Sequence, residues 1–317
     1  MSRARTQQID KIIRNLGDLK KQGFENMYAL DENIKFFEAM RSPIKYVKWF
    51  INERPKINGS QLLELSDFPL GHGRWEAILQ TELLEIEQWK FPDNLVRFRK
   101  ILLNQIDNIA TLSNQRPLLL MSLGSGSMEI ERQIIFALKK INFKNKITFI
   151  GVDLSQASLD TAKNNLKLLD IPIEQVSSLN EKDLNALQQK YTQNQFTIIL
   201  LKDNVFNLDK YLNEKLVDLL YHTKFRHHIL PQQKEQLDTL VKKLSKRIVE
   251  ADLLNNLFMF IVPLIARTRW WHPILLNGGM FSSLRCPTKQ EILDTKKTGW
   301  DVKVFPDGYI RSFNTGE

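Results

Sequence analysis

The chain of 317 residues has a single cysteine, Cys286. One thiol excludes an intrachain disulfide framework and any multi-thiolate zinc site, and it fits a reducing compartment. Long apolar runs are missing as well. The most apolar stretch, Leu257 to Ala266, is shorter than the roughly 20 residues needed to span a bilayer and is interrupted by Pro263. The opening MSRARTQQIDKII has no apolar h-region or small-residue cleavage site, so no secretory signal and a cytoplasmic location are expected. There is no internal repeat or low-complexity tract. Positive charge is plentiful, with 45 Lys and Arg against 36 Asp and Glu for a net charge of +9, but it is spread along the chain. With 43% hydrophobic residues, a buried core is expected.

From the N-terminus to about Leu112 apolar residues recur at helical spacing, as in Ile9, Ile12, Ile13, Leu16 and Leu19, then Ile34, Phe37 and Met40. The spacing predicts a helical region over 1–112, in which Pro43 and Pro92 open helices. The period changes at Leu118. LLLMSL is a short continuous apolar run entering Gly124 and Gly126, the pattern of a buried parallel strand leading into a glycine turn. Helices from about Glu129 to Lys140 and Ser155 to Leu169 alternate with strands at Ile147–Val152, Ile171–Val176 and Phe196–Leu201. Such alternation predicts an α/β, doubly wound sheet. Between Asn204 and Ala266 the strand signal stops, while Leu237, Leu240, Val241, Leu244 and Ile248 share a face, which predicts a helical insertion. Pro273–Arg285, containing LLNGGMFSSL, reads as a further strand. A helix follows from about Thr288 to Lys297, and WDVKVFPDGYIRSF reads as a hairpin turning at Pro306, Asp307 and Gly308.

Gly124 and Gly126 sit where backbone N–H groups approach a ligand at a helix N-terminus. Asp153 ends the next strand, where a doubly wound topology brings a carboxylate within reach of ribose hydroxyls. Dinucleotides and S-adenosylmethionine both suit this pair. The third glycine of G-x-G-x-x-G is replaced by Glu129, whose charge opposes a pyrophosphate but tolerates a ligand without phosphate. A nicotinamide-dependent oxidoreductase is disfavoured on that ground.

Taken in order, LLLMSLGSGSMEIE, FIGVDLS, FTIILL and LLNGGMF resemble the motif set of class I S-adenosylmethionine-dependent methyltransferases over residues 118–317. The resemblance implies a Rossmann-like, doubly wound, seven-stranded sheet with a closing antiparallel hairpin, the region 1–112 serving as lid and substrate-binding part and an insertion at about 204–266. It places the cofactor's methionine portion on Gly124, Ser125 and Gly126, its ribose on Asp153, and its adenosine beside Leu154 and Ser155. FTIILL takes the place of the fourth strand and LLNGGMF that of the fifth. Some positions differ from the family. Ser122 stands where the first strand often carries an acidic residue, Met128 where the loop has its last glycine, and Thr197 where an acidic residue opens the fourth strand. After the third strand, where an acidic residue commonly meets the adenine amine, Ser178 and Asn180 are the available hydrogen-bonding partners.

Methyl transfer is an in-line displacement that depends chiefly on positioning, so dedicated catalytic residues need not exist. Asp203, following the strand FTIILL, is the candidate general base, and an N-cap or turn role is its alternative. Arg269, Trp270, Trp271 and His272 suit either substrate recognition by cation–π contact and stacking or closure of the insertion against the core. Gly71 to Trp75 suits a closing loop or the capped start of a helix. His222, His227 and His228 cluster without the i, i+4 spacing of metal ligands on one helix face, and no metal is expected. The Cys286-Pro287 order does not match a covalent cytosine-type mechanism. A small-molecule acceptor is expected first, a protein side chain second and nucleic acid third. From another class, the alternative is a non-catalytic binding protein that has kept the sheet.

Overall fold

The helical spacing of the first residues is realised in three helices, α1 (Arg3–Lys21), α2 (Met27–Ala39) and α3 (Pro43–Asn52). The Asn26 side chain accepts the Ala29 N–H at 3.0 Å and caps α2. Pro43 opens α3 at a position where its missing N–H costs nothing. Ile9, Ile12 and Leu16 of α1, Phe36 and Phe37 of α2, and Tyr46 and Trp49 of α3 are buried together. Phe36 is the hub of this cluster, edge-on to Tyr46, Trp49 and Phe281.

This computed structural model describes residues 3–62, 94–113, 116–255, 280–306 and 308–315. The chain divides into two compact units, Met1–Phe91 with Leu253–Gln290, and Pro92–Asp252 with Glu291–Glu317. Of the stretch Pro273–Arg285 expected to form a further strand, residues 280–285 are helical, while 273–279, with most of LLNGGMF, lie outside the described residues. Met280, Phe281 and Leu284 share one helical face and pack into the aromatic core of the first unit.

The second unit starts upstream of 118, with helix α4 (Asn94–Leu112), whose Phe98, Leu102, Ile106 and Ile109 pack against the sheet. Then follow β1 (Leu118–Leu123), α5 (Glu129–Lys140), β2 (Ile147–Asp153), α6 (Gln156–Leu166), β3 (Ile173–Val176), α7 (Glu181–Lys190), β4 (Phe196–Lys202), β5 (Leu219–Thr223), α8 (Lys234–Leu244) and β6 (Arg247–Asp252). A short helix, α9 (Lys289–Asp294), precedes the hairpin of β7 (Asp301–Phe305) and β8 (Gly308–Asn314). The eight strands are ordered β3-β4-β2-β1-β5-β6-β8-β7, parallel up to β6, with β8 antiparallel to both its neighbours. The fold class is therefore the expected one, with eight strands among the described residues where seven were expected.

The order revises the strand assignments. FTIILL is β4, and it lies beside β2, where a doubly wound sheet places its third strand. The fourth place, beside β1, belongs to β5, and the fifth to β6. Both fall inside the stretch expected to be a helical insertion, of which α8 is the helical part. They escape a periodicity search for a physical reason. Strands buried on both faces normally read as apolar runs, whereas β5 carries His222 and β6 carries Glu250 and Asp252, all buried. Their polarity is neutralised by partners far away in sequence.

Candidate active site

β1 runs out at Leu123 into a loop that turns three times through the left-handed region, at Gly124 (φ 58°), Gly126 (φ 52°) and Met128 (φ 53°), before α5 begins. Glycine adopts this conformation freely. Met128 does so at a cost of roughly 1–2 kcal/mol, offset by burying its side chain in the core of the second unit. Room for that side chain comes from β2, since a Cβ at Gly151 would lie 2.7 Å from Met128 Sδ. The loop's final glycine has in effect been exchanged for one on the neighbouring strand.

The two loop glycines serve different neighbours. A Cβ at Gly124 would lie 2.3 Å from Cδ2 of Phe225, two residues past β5, so this position accommodates an aromatic ring. A Cβ at Gly126 would meet nothing within 4 Å. Between them, Ser125 Oγ is buried without a hydrogen-bond partner. Gly124→Ala is expected to lower stability by about 2–3 kcal/mol through backbone strain and the clash with Phe225, seen as a lower melting temperature.

Asp153 joins the loop to the next strand end. Its Oδ2 accepts the Gly126 N–H at 2.8 Å and its Oδ1 accepts the Ser155 N–H at 2.9 Å. Ser155 then caps α6 by accepting the Ser158 N–H. Leu154, between them, is 69% exposed. One strand further, the Asp203 N–H donates to the Asp153 carbonyl at 3.2 Å, so Gly126, Asp153 and Asp203 follow one another across adjoining strand ends.

The Asp203 carboxyl is engaged by three donors. Burial alone would raise its carboxyl, but hydrogen bonds from Asn207, Tyr211 and the Asn204 N–H outweigh that and hold it below the ordinary range. A carboxylate so stabilised takes up a proton reluctantly. Ser178 and Asn180 follow β3, the edge strand, which β4 separates from β2. Asn180 spends its side chain capping α7, accepting the Asp183 N–H at 2.9 Å. Arg269, Trp270, Trp271 and His272, and Gly71 to Trp75, lie outside the described residues. Glu129 is committed to Arg132, at 2.6 and 2.7 Å, and to Gln133.

Beside Phe225 lies a polar cluster that periodicity does not reveal. His222, Glu250 and Arg311 face one another across β5, β6 and β8. The Arg311 Nη2 donates to Glu250 Oε2 at 2.7 Å and to Asp238 at 2.8 Å, Tyr309 OH donates to Glu250 at 2.5 Å, and Arg226 grips Asp238 at 2.6 and 3.0 Å. The His222 ring stands edge-on to Phe225 at 5.6 Å. His227, next along, has its Nδ1 2.7 Å from Asp252 Oδ1.

No curated protein matches the chain. A family model described as "Histidine-specific methyltransferase, SAM-dependent" matches residues 98–237, from α4 into α8. Among solved structures, the plantazolicin methyltransferase BamL, in complex with a triazolic desmethylPZN analog and SAH, is 14% identical, with 75% of this chain and 89% of that one covered at a TM-score of 0.44. The plantazolicin methyltransferase BpumL in complex with SAH is 11% identical, covering 76% and 90% at 0.45. The bifunctional kinase-methyltransferase WbdD is 12% identical, with 81% of this chain matching 45% of that one at 0.40. With the glycine loop, the acidic end of β2 and the order of the sheet, the match over residues 98–237 supports a divergent class I S-adenosylmethionine-dependent methyltransferase.

Proposed function

We propose that S-adenosylmethionine lies across the carboxyl ends of β1, β2 and β4 and that the methyl acceptor is a small molecule of the histidine class. The observation that carries the site is the 2.8 Å hydrogen bond from the Gly126 N–H to Asp153, which ties the loop to the acidic strand end. Three features suit this cofactor: the open space over Gly126, the unspent Ser125 hydroxyl, and a carboxylate placed for ribose hydroxyls. In this arrangement Asp153 holds the ribose. Asp203, after the strand in the third place, takes over the adenine amine from Ser178 and Asn180. Its carboxylate has about four acceptor sites and three donors use them. Leu154 offers an exposed apolar side chain beside the base.

When bound, the cofactor supplies a methyl group on a sulfonium. The chain's own contribution is to fix that methyl and the acceptor in near-attack geometry, an effect worth up to about 7–11 kcal/mol. Histidine comes first among acceptors because the matched family is described as histidine-specific. The test is transfer of labelled methyl from S-adenosylmethionine to free histidine, histidine-containing dipeptides and intact protein. Labelling of the small acceptors is expected. Labelling of protein alone would move the acceptor to the second choice, a protein side chain.

A further inference from the structure

Among the described residues, the helices of the first unit leave one apolar face uncovered. α3 (PIKYVKWFIN) contains no acidic residue. Its Tyr46 and Trp49 are buried in the aromatic core, with Phe50 packed against that core. Ile44, Val47, Lys48 and Ile51, at i, i+3, i+4 and i+7, share the other side of the helix. All four are exposed, Ile44 by 71%, Ile51 by 63% and Val47 by 46%. Three aliphatic side chains in one stripe differ from apolar residues scattered singly over a surface, and such a stripe reads as a place of contact.

The charge around the stripe says what it meets. Lys45 is exposed beside it, and among the described residues neither Lys45 nor Lys48 has an ion-pair partner. Lys45 also lines an open cavity of about 510 Å3 shared by α2 and α3, where Lys35, Arg41 and Lys45 outnumber Glu38 and Glu53. Residues 3–62 hold twelve basic and seven acidic side chains, which supplies more than half of the chain's net +9. A second copy of this face is a poor occupant, because a two-fold contact would bring Lys48 toward Lys48. A protein partner is disfavoured as well. Protein interfaces draw on Trp, Tyr and Arg at their centre and are depleted in Lys, whereas α3 turns its Tyr and Trp inward and shows aliphatics and lysine. Aliphatic side chains beside lysines suit an anionic bilayer, whose phosphates meet the ammonium groups while the apolar side chains enter between headgroups. We propose that this face of α3, with Ile44, Val47 and Ile51 as the apolar part and Lys45 and Lys48 as the charged part, docks on a membrane surface bearing anionic phospholipid. The contact is one of surface docking, since a helix of 10 residues is too short to span the bilayer.

The experiment is co-sedimentation of the full chain with vesicles, either of phosphatidylcholine alone or of phosphatidylcholine with about 30% phosphatidylserine. Binding is expected to the mixed vesicles only and is expected to fall as salt is raised, since screening weakens the attraction of lysine for phosphate. Lys45→Gln combined with Lys48→Gln is expected to weaken it about 10- to 30-fold. Ile44→Ser combined with Ile51→Ser, which keeps every charge, is expected to weaken it by about 10-fold or more. The substituted side chains are exposed, so both variants should keep the wild-type melting temperature. Unchanged affinity of the isoleucine variant for mixed vesicles would overturn the proposal, because attraction by overall charge would then account for the binding. Wild-type protein that does not bind the mixed vesicles would overturn it too. A wild-type dimer that the isoleucine variant abolishes, in the absence of vesicle binding, would give the face to a second copy instead.

Discussion

Glu250→Gln is expected to destabilise the second unit by about 3–5 kcal/mol, the range for removing one partner of a buried ion pair. Glu250 and Arg311 are both fully buried, with Arg226 nearly so. The neutral amide would keep the volume but leave two guanidiniums with only Asp238 between them. The stacking of Arg311 on Trp300, 3.8 Å from the ring centroid, is present with either residue at 250 and so does not compensate. The measurement is the urea midpoint at unchanged slope. A loss below about 1 kcal/mol would show that the network is not under load.

The same cluster sets the acid limit of the fold. Burial opposes the charge on Glu250, but Arg311, Arg226 and His222 outweigh it and depress its carboxyl far below the ordinary 4.5. A depressed carboxyl stabilises the fold above its unfolded value and loses that contribution as the pH falls through it. His222 acts at higher pH. Burial, reinforced by the two arginines against Glu250, lowers its pKa below the ordinary 6.5, so the unfolded chain binds a proton that the folded one refuses. Melting temperature is expected to decline as the pH drops below about 6.5 and to fall more steeply below about 4.5. His222→Gln should remove the first decline and keep the second.

Asp153→Ala is expected to weaken S-adenosylmethionine and S-adenosylhomocysteine alike by about 1.5–3 kcal/mol, or about 10- to 150-fold in Kd. The alanine loses the acceptors for the ribose and also frees the Gly126 and Ser155 N–H groups that hold the loop to the strand end. Asp153→Asn separates these effects. It keeps one acceptor oxygen, so the loop can stay tethered while one ribose contact is lost, and an intermediate affinity is expected. Calorimetric titration of both variants decides the point, and an Asp153→Ala protein that binds as tightly as wild type would remove Asp153 from the site.

Much of this site was legible in the sequence because it is local. LLLMSLGSG and FIGVDLS each place a strand, a turn and a functional group within about ten residues. Their pairing in β1 and β2 then follows from the right-handed crossover of a βαβ unit. The closing hairpin was legible for the same reason, with Phe305 and Gly308 paired across its turn. The strand order was not. β4 carries as strong an apolar signal as β1, and nothing in FTIILL says which neighbour it will choose. β5 and β6 were concealed by His222, Glu250 and Asp252, which look solvent-facing until Arg226, Arg311 and His227 are placed beside them.

The sequence by itself determined the α/β class, the glycine loop, the acidic end of β2 and the helical face of α8, because periodicity and turn chemistry act over one or two turns of chain. Only the tertiary structure decided that Asp203 closes the third place in the sheet, that Gly124 makes room for Phe225, and that Glu250 pairs with Arg311 across β6 and β8. Each of these depends on residues brought together from distant parts of the chain. In such pairs burial and charge depend on the partner, and the partner is chosen by packing rather than by spacing.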